Sequence, residues 1–220
     1  MEHKTFDEKW EILQEIDEHE VFSTEDTSIL KELYTDEDSL IRGLVAGILC
    51  FVEPEISTPL LMTLANDSDA LVRTEACDSL CNCKGEAVFN LLKDRLIHDK
   101  SSLFRSYAAL SLADITKDED AYKAEAMQLL TSRLEKERVI NTKISFFRSL
   151  YLLSKEERYL DALLPILQNR RYQNRCAVAH SLSSVCFPSN MERIEIALKN
   201  QYAVESTVAA KSSIESTLHD

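Results

Sequence analysis

The stretch "LLMTLANDSDALVRTEACDSL", Leu60 to Leu80, decides the fold. An aliphatic run ends at "NDSD", whose side chains favour a turn because they bond to nearby backbone. Beyond it Arg73 is followed by Ala76 at offset three and Leu80 at offset seven, one face of a helix. Leu64, nine before Arg73, closes a preceding helix. The unit is helix A, a short turn, helix B.

The unit recurs. Arg42, Arg73 and Arg105 stand 31 and 32 residues apart, and Lys143, Arg175 and Glu205 follow at 38, 32 and 30. Three after each anchor come Val45, Ala76, Ala108, Phe146, Val178 and Val208. Seven after come Leu49, Leu80, Leu112, Leu150 and Leu182, then Ser212, where the pattern fails. Nine before come Leu33, Leu64, Leu96, Leu134, Ile166 and Ile196. Self-similarity at this period is the mark of a stacked-repeat protein.

The spacing predicts an N-terminal helix over 4–19, with Phe6, Trp10, Leu13 and Ile16 on its apolar side. Six A/B pairs follow: 24–34 with 38–52, 55–66 with 69–83, 86–98 with 102–116, 119–137 with 141–154, 156–168 with 171–186, and 190–199 with 202–216. Repeat boundaries fall near 23–53, 54–84, 85–117, 118–154, 155–187 and 188–220, with 1–22 as a cap, all in one domain. Asp38, Asp69, Ser101 or Ser102, and Asn141 are expected N-caps of B helices. Pro54 suits the first turn of an A helix, and Ser23 with Asp26 forms a capping box.

With "LLKDRLIHDKSSLFRSYAALSLADI" as a second clear copy, residues from about 24 to 216 resemble HEAT repeats of the short bacterial, PBS-lyase HEAT-like kind. The resemblance implies an all-α, right-handed α-α superhelix of about six hairpins plus the cap helix. It implies little about activity, because such folds host many functions. It also implies that turn acids and helix-B bases bond across and between units. Six before the anchors stand Asp36, Asp67, Asp99, Glu137, Asn169 and Lys199. With Arg42, Arg73, Arg105, Lys143, Arg175 and Glu205 they predict a ladder neutralised at Asn169 and reversed in its last rung, Lys199 with Glu205.

In such stacks the B helices line the concave side. There the expected partner-binding residues are Glu75, Asp78, Asn82, Tyr107, Leu110, Asp114, Arg148, Tyr151 and His180. The net charge of −13 opposes a phosphate backbone or an anionic membrane, and the acidic middle of this face favours a basic protein or peptide. The N-terminus has no apolar signal-like run and no segment approaches 18 apolar residues, so a cytoplasmic chain is expected, as a monomer. His180 lies two or more repeats from Asp78 and Asp114, roughly 20–30 Å at about 10 Å per repeat, too far for an acid–base pair. The family's di-iron hydroxylases carry repeated His-Glu dipeptides, whereas this chain has one, His19-Glu20. No P-loop, GxGxxG, HExxH or GxSxG occurs. The reading is a non-catalytic interaction module without cofactor or metal, adaptor-like or immunity-like. The alternative is a lyase- or chaperone-like modification subunit.

Cys77, Cys81 and Cys83 look like a metal site and read differently against the repeat. Cys77 stands where other units place Ala46, Ala109, Phe147, Ala179 and Ala209, and Cys83 matches Val52, Ile115, Leu153 and Val185, so both read as core. No C-x-x-C pairing is present. Cys50 and Cys81 share a register on adjacent B helices, with Cα atoms expected about 9–10 Å apart, too far for an unstrained disulfide.

Overall fold

A computed structural model describes residues 4–219, the side chain of Asp120 excepted. Residues 1–3 of the expected cap, and Asp220 of the tail, lie outside the described residues. Every regular element among those described is a helix. The chain divides into two compact units, Met1–Ile115 and Thr116–Asp220.

The first unit holds α1 (Phe6–Asp17), α2 (Thr24–Leu33), α3 (Ser39–Ile48), α4 (Pro54–Leu64), α5 (Ala70–Ser79), α6 (Glu86–His98) and α7 (Ser102–Thr116). Helix α3 packs between α1 and α5, and A helices pack beside them, so B-type helices stack on B-type helices. The second unit holds α8 (Asp120–Leu134), α9 (Ile140–Ser154), α10 (Glu157–Leu163), α11 (Tyr172–Ser183), α12 (Met191–Val204) and α13 (Val208–His219). Here α11 packs between α9 and α13. This is the stacking of an all-α solenoid, in which each hairpin covers a face its neighbour cannot bury alone.

Local chemistry sets the helix ends. Thr5 and Ser23 form capping boxes with Glu8 and Asp26, and Asp38, Asp69 and Ser101 accept first-turn N–H groups of α3, α5 and α7. Asn141 is not a cap: it lies inside the first turn of α9, whose entry is held by Glu137 accepting the Arg138 and Val139 N–H groups at 2.9 Å each. The fifth A helix stops at Leu163 and continues as a 3-10 turn, Leu164–Gln168, because Pro165 has no N–H to give the α-helical ladder. Val45, Ala76, Ala108, Phe146 and Val178 are buried, as are Leu49, Leu80, Leu112, Leu150 and Leu182.

The last hairpin corrects the sequence register. Helix α12 runs on to Val204, because "NQYAV" contains no breaker, and Glu205 takes the turn position rather than the anchor. The anchor of that unit is Lys211, six residues later, followed at offsets three and seven by buried Ile214 and half-buried Leu218. Ile196 and Val208, expected in the core, are 53% and 83% exposed. A further anchor precedes the first: Lys9 on α1 pairs with Asp36 at 2.6 Å. The cap helix is thus a B-type helix.

The ladder itself joins successive turns. Arg42 binds Asp67 through Nε and Nη2 at 2.7 and 2.8 Å, Arg73 binds Asp99 at 3.2 Å, and Arg175 binds Glu205 at 2.6 and 2.7 Å. Nη1 of Arg42, Arg73, Arg105 and Arg175 donates instead to the carbonyl six residues earlier in its own turn. Each acid of the rung also accepts the N–H two residues ahead: Asp36 from Asp38, Asp67 from Asp69, Asp99 from Ser101, Glu137 from Val139, Glu205 from Thr207. Asn169 does the same for Arg171 without a charge, and Lys143 has no carboxylate partner among the described residues. Lys199 takes no part: it pairs with Glu195 one turn back on α12, so the reversed rung of Lys199 with Glu205 does not form.

Candidate functional site

In the first unit, the exposed side of α3, α5 and α7 carries the expected acidic residues. Glu75 and Asp78 project from α5 and are exposed, while Tyr107 and Asp114 on α7 are half-buried with Leu110. These groups share one electrostatic environment. Burial raises the Tyr107 phenol above its ordinary value, and the charges of Asp78 and Glu75 add to it. Burial also drives Cys81 up to about 12, helped by Cys50, Asp78 and Asp114. Asn82 is exposed and donates to the Cys50 carbonyl at 3.3 Å, tying the ends of two successive repeats.

Glu75 differs from the acids of the ladder. Asp67 is held below the usual carboxylate range by the Arg42 hydrogen bonds, whereas Glu75, an exposed residue whose carboxylate is partly covered by α3, is moved up by that covering alone. Among the described residues no cation or hydrogen-bond donor answers it. Its carboxylate lies against the α3 backbone, where a Cβ on Gly47 would meet Oε1 at 3.1 Å. Beside it a groove of about 370 Å³ opens between α3, α5 and α1, lined by Trp10, Leu40, Gly43, Gly47, Leu71 and Glu75 among others. Sequence reasoning passed over this groove, although two of the chain's three glycines stand four residues apart on α3.

In the second unit, His180 is exposed on α11, and Arg148 on α9 is half-buried and donates through Nε to Ser184 at 2.9 Å. Tyr151 corrects the reading of the interaction face: it is 2% exposed and belongs to the core. Helices α3 and α5 tighten into 3-10 turns seven residues after their anchors, but α9 continues to Ser154 and ends in a left-handed Lys155, φ 59°. The extra turn carries Tyr151 inward, where its hydroxyl donates to Glu157 at 3.1 Å and accepts from buried Asn190 at 2.9 Å.

The cysteines form no cluster with other ligand types; no group of three potential metal-binding side chains occurs among the described residues. Cys77 and Cys83 are buried, and Cys83 sits in extended backbone just past a 3-10 turn rather than on the helix of Cys81. Cys50 and Cys81 are half-buried free thiols. No described helix is long and apolar enough to cross a membrane.

The HEAT-repeat family profile matches residues 27–113 and 58–150. No curated protein matches the chain. Among solved structures, the complex of CpcE and CpcF of phycocyanin lyase from Nostoc sp. PCC7120 aligns with a TM-score of 0.69 and 16% identity, over 96% of this chain and 88% of that one. YibA of Escherichia coli aligns at 0.44 and 15% identity, over 98% of both chains. The first likeness extends the fold, and only the fold, to nearly the whole length of this chain.

Proposed function

The chain belongs to the HEAT-repeat family, and on that premise we propose that it is a non-catalytic interaction module that takes up a basic protein or peptide on the B-helix face of its first unit. The observation carrying this reading is Glu75, a carboxylate with no cation among the described residues, near Asp78 and Tyr107. A partner's lysine or arginine would supply the missing charge, and a half-buried tyrosine is a favoured contact for such a partner. Catalysis is disfavoured by the same groups. Cys81, the thiol on this face, is pushed up to about 12, away from the thiolate a nucleophile needs.

The test is affinity capture from the native host with the wild-type chain and with a Glu75→Lys, Asp78→Lys variant. A basic partner held by the wild type and released by the reversal is the expected result. A partner held equally by both removes the acidic face from the account. The second reading, a lyase- or chaperone-like modification subunit, draws on likeness of fold alone. A bilin copurifying with the chain would favour it.

A further inference from the structure

Two of the three glycines in the chain stand one turn apart on α3, at Gly43 and Gly47, and neither has the positive φ that would demand glycine. Gly43 is not forced by packing either: a Cβ there would meet only Val72 Cγ2, at 4.0 Å. Glycine inside a helix costs stability relative to alanine. What the bare backbone provides is the floor of the 370 Å³ groove. Its walls are apolar and unusually open for leucines, with Leu40 58% and Leu71 66% exposed. Trp10 closes one side, held by stacking on Phe6 with ring centroids 5.7 Å apart. Glu75 closes the other without a cation among the described residues.

An apolar trough ending in an unneutralised carboxylate complements a chemically specific occupant. Resting on the reading of this face as a site for basic partners, the geometry points to a basic amphipathic segment of a partner protein as the groove's ligand: an aliphatic side chain seats on Gly43 between Trp10 and Leu71, and a lysine or arginine about one helical turn away pairs with Glu75. The apolar walls make the ion pair stronger than it would be in open solvent. The exposed glycine backbone lets a helical ligand approach closely, as an anchor in a groove.

Trp10 is the sole tryptophan, so its fluorescence reports the groove directly. The probe is a short amidated helical peptide with leucines on one face and lysines flanking them, compared with its glutamate counterpart. Binding of the lysine peptide that shifts Trp10 emission, and no binding of the glutamate peptide, is expected. A Cβ at position 43 makes only an ordinary contact with Val72, and Gly43→Leu projects into the groove and adds helix propensity, so it should fold and lose about tenfold or more in affinity. Glu75→Gln should lose a factor of about 3–10 and flatten the salt dependence. If Gly43→Leu binds as tightly as the wild type while Asp78→Lys does not, the acidic face stands and the groove assignment falls. If the lysine peptide does not bind at all, or binds no better than its glutamate counterpart, both fall. Self-association of the free protein abolished by Gly43→Leu would give the groove to a second copy and overturn the basic ligand.

Discussion

Removing one charge from the Arg175–Glu205 rung tests whether the ladder holds the solenoid together. Glu205 has a side chain 1% exposed and Arg175 one 11% exposed. The carboxylate accepts from Arg175 at 2.6 and 2.7 Å, from the Thr207 N–H at 2.9 Å and from Gln201 at 3.1 Å. The Arg175 bonds are the main reason its carboxyl titrates at about 2 rather than 4.5. At about 1.4 kcal/mol per pH unit that difference would be worth about 3 kcal/mol. Solvent reaches the Arg175 edge of the rung and screens it, so about 1–2 kcal/mol is the working figure. Because the folded value is depressed, the stabilisation is complete above the unfolded value and disappears as pH falls through the folded one. Glu205→Gln should therefore cost about 1–2 kcal/mol at about pH 7, and the gap from wild type should close between about pH 4.5 and about pH 2. Urea unfolding followed by far-ultraviolet circular dichroism measures it. All other carboxylates are common to both chains and cancel in the difference. A gap of the same size at about pH 7 and about pH 2.5, or none at about pH 7, would refute the reasoning.

Arg73→Ala strands Asp99, whose side chain is 4% exposed, and frees the Asp67 and Ser68 carbonyls, a loss of about 2–3 kcal/mol. Lys84→Ala, on an exposed residue at no recurring offset, should stay within about 0.5 kcal/mol, so equal melting temperatures for the two variants would count against the ladder. Cys81, with its thiol at about 12, should carry about one thiolate in ten thousand at about pH 8 and react far more slowly with iodoacetamide than free cysteine. Rapid alkylation of Cys81, located by peptide mass mapping, would contradict that environment.

The repeat was legible because stacking imposes the same volume at the same place in each hairpin. Val45, Ala76 and Val178 are interchangeable only as buried apolar groups three residues after an anchor, and sequence preserves that. The ladder was legible as a set of acids and bases but not as bonds. Asp67 and Arg73 stand six apart, yet Arg73 spends Nη1 on the Asp67 carbonyl and gives Nε to Asp99, 26 residues on. The last rung was misread because Glu205 falls 30 residues after Arg175, close to the usual period, while the true anchor Lys211 falls 36 after it. What identifies a turn acid is its bond to the N–H two residues ahead, and no spacing rule exposes that. Tyr151 was placed on the open face by counting from its anchor, and the count failed because α9 does not tighten where α3 and α5 do. The groove was half legible: Gly43 and Gly47 were visible as a pair, but the wall that gives them meaning comes from Trp10, on a helix the repeat pattern did not include.

In the hairpins of the first unit the duties are separated by position. The anchor and the residue six before it hold neighbouring turns, and the residues three and seven after it fill the core. Those two and five after it are left to the surface: Leu44, Glu75 and Tyr107 in one row, Gly47, Asp78 and Leu110 in the next. A change at an exposed position of these rows, such as Glu75, disturbs neither rung nor core, so its effect on stability should remain within about 0.5 kcal/mol while its effect on a partner can be large. The first unit uses that freedom unevenly. Its surface rows change from Leu44 to Glu75 to Tyr107, and from Gly47 to Asp78 to Leu110, over three successive B helices, on a scaffold whose rungs barely vary. A face under no constraint but solubility has no reason to surrender helix propensity at Gly43 while keeping Glu75 without a cation among the described residues. On the proposed reading, in which this face receives a cation and an aliphatic group, both features have a purpose.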